Sequence, residues 1–325
     1  MVVRVPATSA NLGPGFDAMG LALTLHDVVA ARITGSGLDI SVSGAGEETA
    51  AAGEDHLVVR AMRAAFAALG GQPPGIAIRC ENAIPQGYGL GSSAAAIVAG
   101  LLAARALAGG SLAGGREAGP SSAGGSLTGE PSAGGGAAAA GFGDDWLLGL
   151  ATGLEGHPDN VAACLSGGLT IAWMSASGAR SVRLSPLAGI APVICVPPDP
   201  LATAAARLAL PPAVPHADAA QNSARAALLV AALTSDPGLL MDATEDFLHE
   251  RYRAAAMPRT ASLIASLRAA GIPAVVSGGG PAVLALTVTG RPPGAGAVAP
   301  IAEAAGAGWR VSPLGVDAQG AATDW

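Results

Sequence analysis

Between Asp55 and Leu69 the apolar residues Leu57, Val58, Ala61, Met62, Ala65, Phe66 and Leu69 recur at intervals of three and four. That spacing predicts a helix with one buried face, closed by Gly70-Gly71. Gly75 to Cys80 alternates as I-A-I-R-C and predicts a strand, and Ala94 to Leu107 forms a small apolar block that predicts a second helix. Shorter apolar runs predict strands at Val2 to Val5, stopped by Pro6, at Gly167 to Met174 and at Ala191 to Val196, with a strand pair inside Ala22 to Ile33. Helices are expected over Asp144 to Leu154, near Ala219 to Leu233, over Leu239 to Arg253, and from Arg259 to Ala270 ahead of Gly271. Pro273 to Ser277 and Ala282 to Val288 read as a hairpin across S-G-G-G-P. Strands interleaved with helices in both halves indicate an α+β sandwich in each. We expect the halves to fall at residues 1–167 and 168–325 and, without a Pro-rich linker between them, to pack tightly.

The periodicity fails from Ala108 to Gly143, where 27 of 36 residues are Gly, Ala or Ser. Such a tract cannot bury enough apolar surface to offset its ordering entropy, so residues 108–143 are expected to be a disordered surface insertion without function.

Composition narrows the picture further. With 325 residues, half of them apolar, the chain can bury a sizeable core and form two domains. A net charge of −7 with scattered arginines argues against a nucleic-acid surface. The opening M-V-V-R-V-P-A-T-S-A-N is too short and too soon polar for a signal peptide, and no window reaches about eighteen uninterrupted apolar residues. A cytoplasmic protein with no membrane partner is expected. Cys80, Cys164 and Cys195 are isolated and suggest buried free thiols, while the five histidines lack H-E-x-x-H spacing. All seventeen basic residues are arginine, which excludes a Walker A lysine, the strand lysine of protein kinases and any Schiff-base or pyridoxal chemistry.

Against that exclusion stands P-Q-G-Y-G-L-G-S-S-A-A-A, from Pro85 to Ala96, which sets three glycines and two hydroxyls against the start of a helix. Gly87, Gly89 and Gly91 remove side chains that would keep a phosphate from the backbone amides. Ser92 or Ser93 can cap the helix or offer a hydroxyl to Mg²⁺, and the helix dipole favours an anion at this end. A tight turn with a capped helix is the plain alternative. If a nucleotide binds, amides, Mg²⁺ and arginine must neutralise it.

Two further segments share this glycine-rich, polar character: P-A-T-S-A-N-L-G-P-G-F-D at Pro6 to Asp17 and V-S-G-G-G-P-A-V-L-A-L at Val276 to Leu286. Together, and in this order, the three motifs resemble the GHMP small-molecule kinases over nearly the whole chain apart from the insertion. The wording of the first resembles the homoserine kinases in particular. The resemblance implies a two-domain fold, with a ribosomal protein S5 domain 2-like nucleotide-binding N-terminal domain and a ferredoxin-like C-terminal domain. It implies ATP and Mg²⁺, L-homoserine as substrate, phosphorylation of its hydroxyl toward threonine biosynthesis, and a possible homodimer. Asn82, Pro85, Gln86, Gly87, Tyr88, Gly89, Leu90, Gly91, Ser92, Ser93 and Ala94 would meet the nucleotide, with Asp55 and His56 nearby. Glu155, in E-G-H-P-D-N-V-A-A, would hold Mg²⁺ with Ser92 or Ser93. Asn11, Asp17, His157, Arg207 and Arg253 would bind the amino acid, the arginines through its carboxylate. Asn11, Arg207 and Thr203, one turn before Arg207, would serve catalysis, and no obligatory base is implied. Gln86, Tyr88 and Gly279 depart from the residues common in the family without removing a named contact. The rival readings are another GHMP kinase, of mevalonate or sugar type, and a non-catalytic metabolite sensor.

Overall fold

The structure is a computed structural model that describes residues 1–49, 51–113, 143–201, 203–289 and 298–324. The first half runs β1 (Val2–Ala10), β2 (Met19–Thr34), β3 (Gly37–Gly44), α1 (Leu57–Ala68), β4 (Gly75–Asn82), α2 (Ser92–Ala113), α3 (Asp144–Glu155), α4 (Asp159–Ser166), β5 (Leu169–Ser175) and β6 (Gly178–Leu184). The second runs β7 (Ile190–Val196), α5 (Thr203–Leu208), α6 (His216–Thr234), α7 (Leu240–Ala243), α8 (Glu250–Arg253), α9 (Pro258–Ala269), β8 (Ala274–Val276), β9 (Val283–Val288), α10 (Val298–Ala305), β10 (Arg310–Pro313) and β11 (Ala322–Asp324).

A seven-stranded sheet carries the first half, in the order β11-β1-β2-β4-β3, with β5 and β6 extending from the start of β2. Among the described residues only β3 and β4 pair in parallel. The strand expected to stop at Pro6 continues to Ala10. Proline cannot donate to a ladder, and the register between β1 and β2 shifts between Pro6 and Ala7, which absorbs the missing N–H. The pair expected within Ala22–Ile33 is one continuous strand, because no Gly, Pro or Asn interrupts that segment. The sheet also crosses the expected boundary at 167/168, since β5, β6 and β11 all belong to it.

The second sheet is four-stranded and antiparallel, β10-β7-β9-β8. Its side chains alternate between two cores: Val193, Cys195, Val283 and Ala285 pack with Leu263, Leu267 of α9 and Ile301 of α10, whereas Ile194, Leu284 and Leu286 join the core of the first half. One apolar core is thus continuous across both halves, which is the tight packing anticipated. The helix expected over Leu239–Arg253 is broken instead. Asp246 accepts hydrogen bonds from the amides of Leu248, His249 and Glu250, a local competitor that ends α7 and starts α8.

α2 reaches Ala113, six residues into the stretch expected to be an insertion; residues 114–142 lie outside the described residues. Its stretch Ser92–Gly109 is long and apolar enough to cross a membrane by length and composition, yet more than half of it is buried inside the protein, largely against α1. The close approach depends on Gly100, where a Cβ would lie 2.4 Å from the Val58 carbonyl oxygen and 2.7 Å from the Ala61 Cβ. Gly100→Val should therefore cost about 1–3 kcal/mol by overpacking. Gly149→Ala, at an exposed position of α3 with nothing within 4 Å of the added methyl, should gain about 0.5–1 kcal/mol from helix propensity. Chemical-denaturation midpoints of the two variants check both signs.

Candidate active site

The loop between β4 and α2 is where the three motifs meet. Gly87, Gly89 and Gly91 have φ of 78°, 75° and 70°, conformations that only glycine adopts at little cost. Two of them are also demanded by contact with the other motifs. A Cβ at Gly89 would stand 2.0 Å from the Ser277 carbonyl oxygen, and one at Gly91 would stand 2.0 Å from Thr8 Oγ1. These glycines therefore serve the seating of the loop, and not only the approach of a ligand as the sequence suggested.

The loop is seated by its carbonyls. Leu90 O accepts from Thr8 N (3.1 Å), Tyr88 O from Ala282 N (3.2 Å), Gly87 O from Leu201 N (3.0 Å) and Gly89 O from Ser277 Oγ (2.7 Å). The third motif reaches the first through Gly278 N, which donates to Ala10 O at 2.9 Å. With the carbonyls turned outward, the amides of Gly89 through Ala94 have no hydrogen-bond partner among the described residues. Unpaired N–H groups at the N-terminus of a helix form an anion site. The side chains of Leu90 and Ala94 are buried in the core, so a ligand could meet these two residues only at the backbone. The Tyr88 hydroxyl turns away and donates to Pro198 O at 2.9 Å.

Beside these amides, Ser93 Oγ donates to Glu155 Oε2 at 2.6 Å. Glu155 is the last residue of α3, which Gly156 closes at φ 95°. Of the two serines expected at a metal, it is Ser93 that pairs with the glutamate.

Across the cleft lie the groups expected to bind an amino acid. The Arg207 fork holds Asp17 through two hydrogen bonds, at 2.8 and 3.2 Å, and this pairing raises the arginine pKa. Asn11 and Asp17 both have positive φ, 52° and 51°. Asn11 Oδ1 accepts from Asp17 N (2.8 Å) and its Nδ2 donates to Gly278 O (2.9 Å), so one side chain ties the first motif to the third. Arg253 is almost completely buried; its guanidinium donates to Ala206 O (3.2 Å) and Gly278 O (3.4 Å) and stands 5.3 Å from the Phe16 ring centroid. Burial, and then the Arg207 charge, lower its pKa. His249 stacks on Phe16, donates from Nε2 to Gly13 O (2.9 Å) and accepts from Arg253 at Nδ1 (3.2 Å), the neutral form that burial also favours. His157 gives its Nδ1 hydrogen to Asp159 Oδ1 at 2.6 Å, and that bond raises its pKa. One cleft is lined by Asn11, Gly89, Gly91, Ser92, Ser93, Glu155, His157, Arg207 and Arg253. Thr203 opens α5, but its side chain lies outside the described residues.

A second cavity, of about 240 Å³, adjoins the first at Ser92 and Ser93. Val5, Val29, Leu57, Val58, Ala95 and Ala96 supply apolar walls, with Asn82, Gln86 and His56 as polar groups. The Nδ1 of His56 is buried without a partner among the described residues, and burial lowers the pKa of the ring. Asp27 also lines this cavity and accepts from the amides of Ala83 and Ile84. Cys80 lies in its wall with a thiol pushed up to about 11, which leaves it protonated and unreactive. Sequence reasoning missed Asp27, Phe16, His249, Asp159 and Asn160, the last of which lines the first cleft and accepts at Oδ1 from Thr8 Oγ1 at 2.8 Å. Asp159 and Asn160 stand in the H-P-D-N turn, which was the signal available for them; the others became visible only through packing.

Comparison with known proteins gives a consistent picture. Residues 56–144 match the family model for the GHMP kinases N terminal domain, and residues 228–309 the model for GHMP kinases C terminal. The chain is 51% identical over 319 residues to homoserine kinase of Streptomyces coelicolor, covering 98% of this chain and 93% of that protein. It is 41% identical over 295 residues to homoserine kinase of Mycobacterium tuberculosis, covering 89% and 84%. The crystal structure of homoserine kinase from Cytophaga hutchinsonii superposes with a TM-score of 0.79 at 27% identity, covering 99% of this chain and 96% of that one.

Glu250 ties the arginine-bearing helix to the third motif, since its Oε1 accepts from Val276 N at 2.7 Å. Burial pushes its carboxyl up to about 8. The folded protein therefore holds a proton there that the unfolded chain, with an ordinary carboxyl near 4.5, releases. Stability should fall as pH rises from about 4.5 to about 8, by at most about 1.4 kcal/mol per pH unit from this group. In Glu250→Gln, which keeps an acceptor for Val276, urea midpoints compared at pH 5 and pH 8.5 should lose this component.

Proposed function

The chain belongs to the GHMP kinases, and we propose that it transfers the γ-phosphoryl group of ATP to the hydroxyl of L-homoserine, giving O-phospho-L-homoserine and ADP. The observation that carries this reading is the juxtaposition, in one cleft, of unpaired helix N-terminal amides and Arg207, whose guanidinium fork holds Asp17 through two hydrogen bonds. The amides complement a polyphosphate. The opposed carboxylate and guanidinium complement a zwitterionic amino acid, whose ammonium would take Asp17 and whose carboxylate would take Arg207. A mevalonate or sugar substrate has no ammonium for Asp17.

Arg253 would complete the carboxylate pocket, and His157 would contact the amino acid through the ring nitrogen that Asp159 leaves free. Asn11, already bonded to Gly278 and Asp17, retains a second amide hydrogen for the substrate hydroxyl. Thr203 is proposed to act from the start of the helix that bears Arg207. The adjoining apolar cavity would take the nucleobase, with Asn82, Gln86 and His56 at its polar points.

Mg²⁺ fits the oxygen pair of Ser93 and Glu155. No group of three or more acidic, histidine or cysteine side chains suited to a metal occurs among the described residues, and Mg²⁺ usually takes one or two protein oxygens together with phosphate and water. When bound, the ion would be held by Ser93 and Glu155 and would offset the negative charge of the triphosphate. The chain's own part is to hold the triphosphate on its amides, orient the hydroxyl through Asn11 and keep the amino acid fixed by its two charged ends. Phosphoryl transfer asks mainly for such positioning, so no side-chain base is required. We further propose, on the family resemblance, that the product feeds threonine biosynthesis in the cytoplasm and that the enzyme is a homodimer.

ADP formation should require homoserine, ATP and Mg²⁺ together; brisk turnover of a different alcohol with silence on homoserine would overturn the assignment. Arg207→Gln should raise KM for homoserine about 10- to 100-fold, the value of about 1.5–3 kcal/mol for a hydrogen bond to a charged group, and leave KM for ATP little changed.

A further inference from the structure

Asp159 is an expensive residue to place where it lies. It is completely buried, and its Oδ2 has no hydrogen-bond partner among the described residues. A buried carboxylate with an unpartnered oxygen works against folding, and an apolar or amide residue of similar volume would relieve that cost. Its position lessens the burden without removing it. Asp159 is the first residue of α4, where the helix dipole favours negative charge, and its Oδ1 accepts from the amide of Asn160 at 2.8 Å.

The same Oδ1 lies 2.6 Å from His157 Nδ1. A carboxylate can only accept there, so the ring carries its hydrogen on Nδ1. That leaves Nε2 as the ring nitrogen available to the cleft His157 lines. The charged groups acting on this ring are Asp159, Glu155 at the end of α3 and Arg207 of α5.

We propose that Asp159 is the positioning residue of the amino-acid site, fixing the orientation and tautomer of His157 so that Nε2 meets the substrate. This rests on the assignment of His157 to the homoserine pocket. Asp159 itself touches neither substrate nor nucleotide; it acts through the ring.

The test is a double-mutant cycle with His157→Ala, Asp159→Asn and the double variant, read as separate KM values for homoserine and ATP. Asp159→Asn should raise KM for homoserine about tenfold, the equivalent of one charge-assisted hydrogen bond, with KM for ATP unchanged. In the His157→Ala background it should add nothing, because the group it orients is gone. Ring ¹⁵N shifts of His157 in the full-length protein should show the Nδ1–H form in the wild type and a mixture of tautomers in Asp159→Asn. Asp159→Ser, which retains a hydroxyl at the helix start, gives the same comparison if the asparagine variant does not fold. An undiminished effect in the His157→Ala background, equal rises in both KM values, or unchanged ring shifts would each overturn the positioning role. An unaltered KM for homoserine in His157→Ala would overturn the placement of His157 in the pocket, and the positioning role with it.

Discussion

The constraint on which this structure depends is the outward engagement of the carbonyls of residues 87–90. Thr8 of the first motif, Ser277 and Ala282 of the third, and Leu201 take those four oxygens, so three distant parts of the chain hold the loop. A peptide whose carbonyl is held on one side presents its neighbouring amides on the other. The loop thereby keeps a row of N–H groups free at the head of α2 without any lysine to assist. The opposed requirement, that these groups not be buried and unpaired, is met because they face a cleft.

Seating the loop also assembles the site from distant segments. The bond from Gly278 to Ala10 and the two bonds of Asn11 lock the third motif against the first, which places Asp17 where Arg207 of α5 can close on it. The continuous apolar core stiffens this arrangement, because the inner face of the second sheet packs into the same interior as α1 and α2. Polar groups that are costly to bury, among them Arg253, His249, Asp159 and Glu250, lie around the cleft. Each is held by a backbone or ring partner, so the region gives up stability in return for fixed charge placement.

The charge pattern inside the cleft follows a simple division. One wall offers dipoles and hard oxygens, suited to phosphate and a small cation. The other offers a full negative and a full positive group in contact with each other, which is how a site complementary to a zwitterion satisfies itself when alone.

The sequence by itself determined the local elements and the inventory of chemistry. The periodicity of Asp55–Leu69 produced α1 nearly residue for residue, the absence of lysine excluded several nucleotide chemistries, and the three glycine motifs indicated the family. These were legible because helix period, turn residues and motif spacing are written in neighbouring positions. Tertiary structure decided what depends on remote partners. It carried β1 past Pro6 by a register shift, broke the helix expected across Asp246, kept β5, β6 and β11 in the first sheet, chose Ser93 as the partner of Glu155, paired Asp17 with Arg207 and buried Asp159 behind His157. In each case the deciding energy is a hydrogen bond, ion pair or ladder to a residue whose proximity local propensity does not encode.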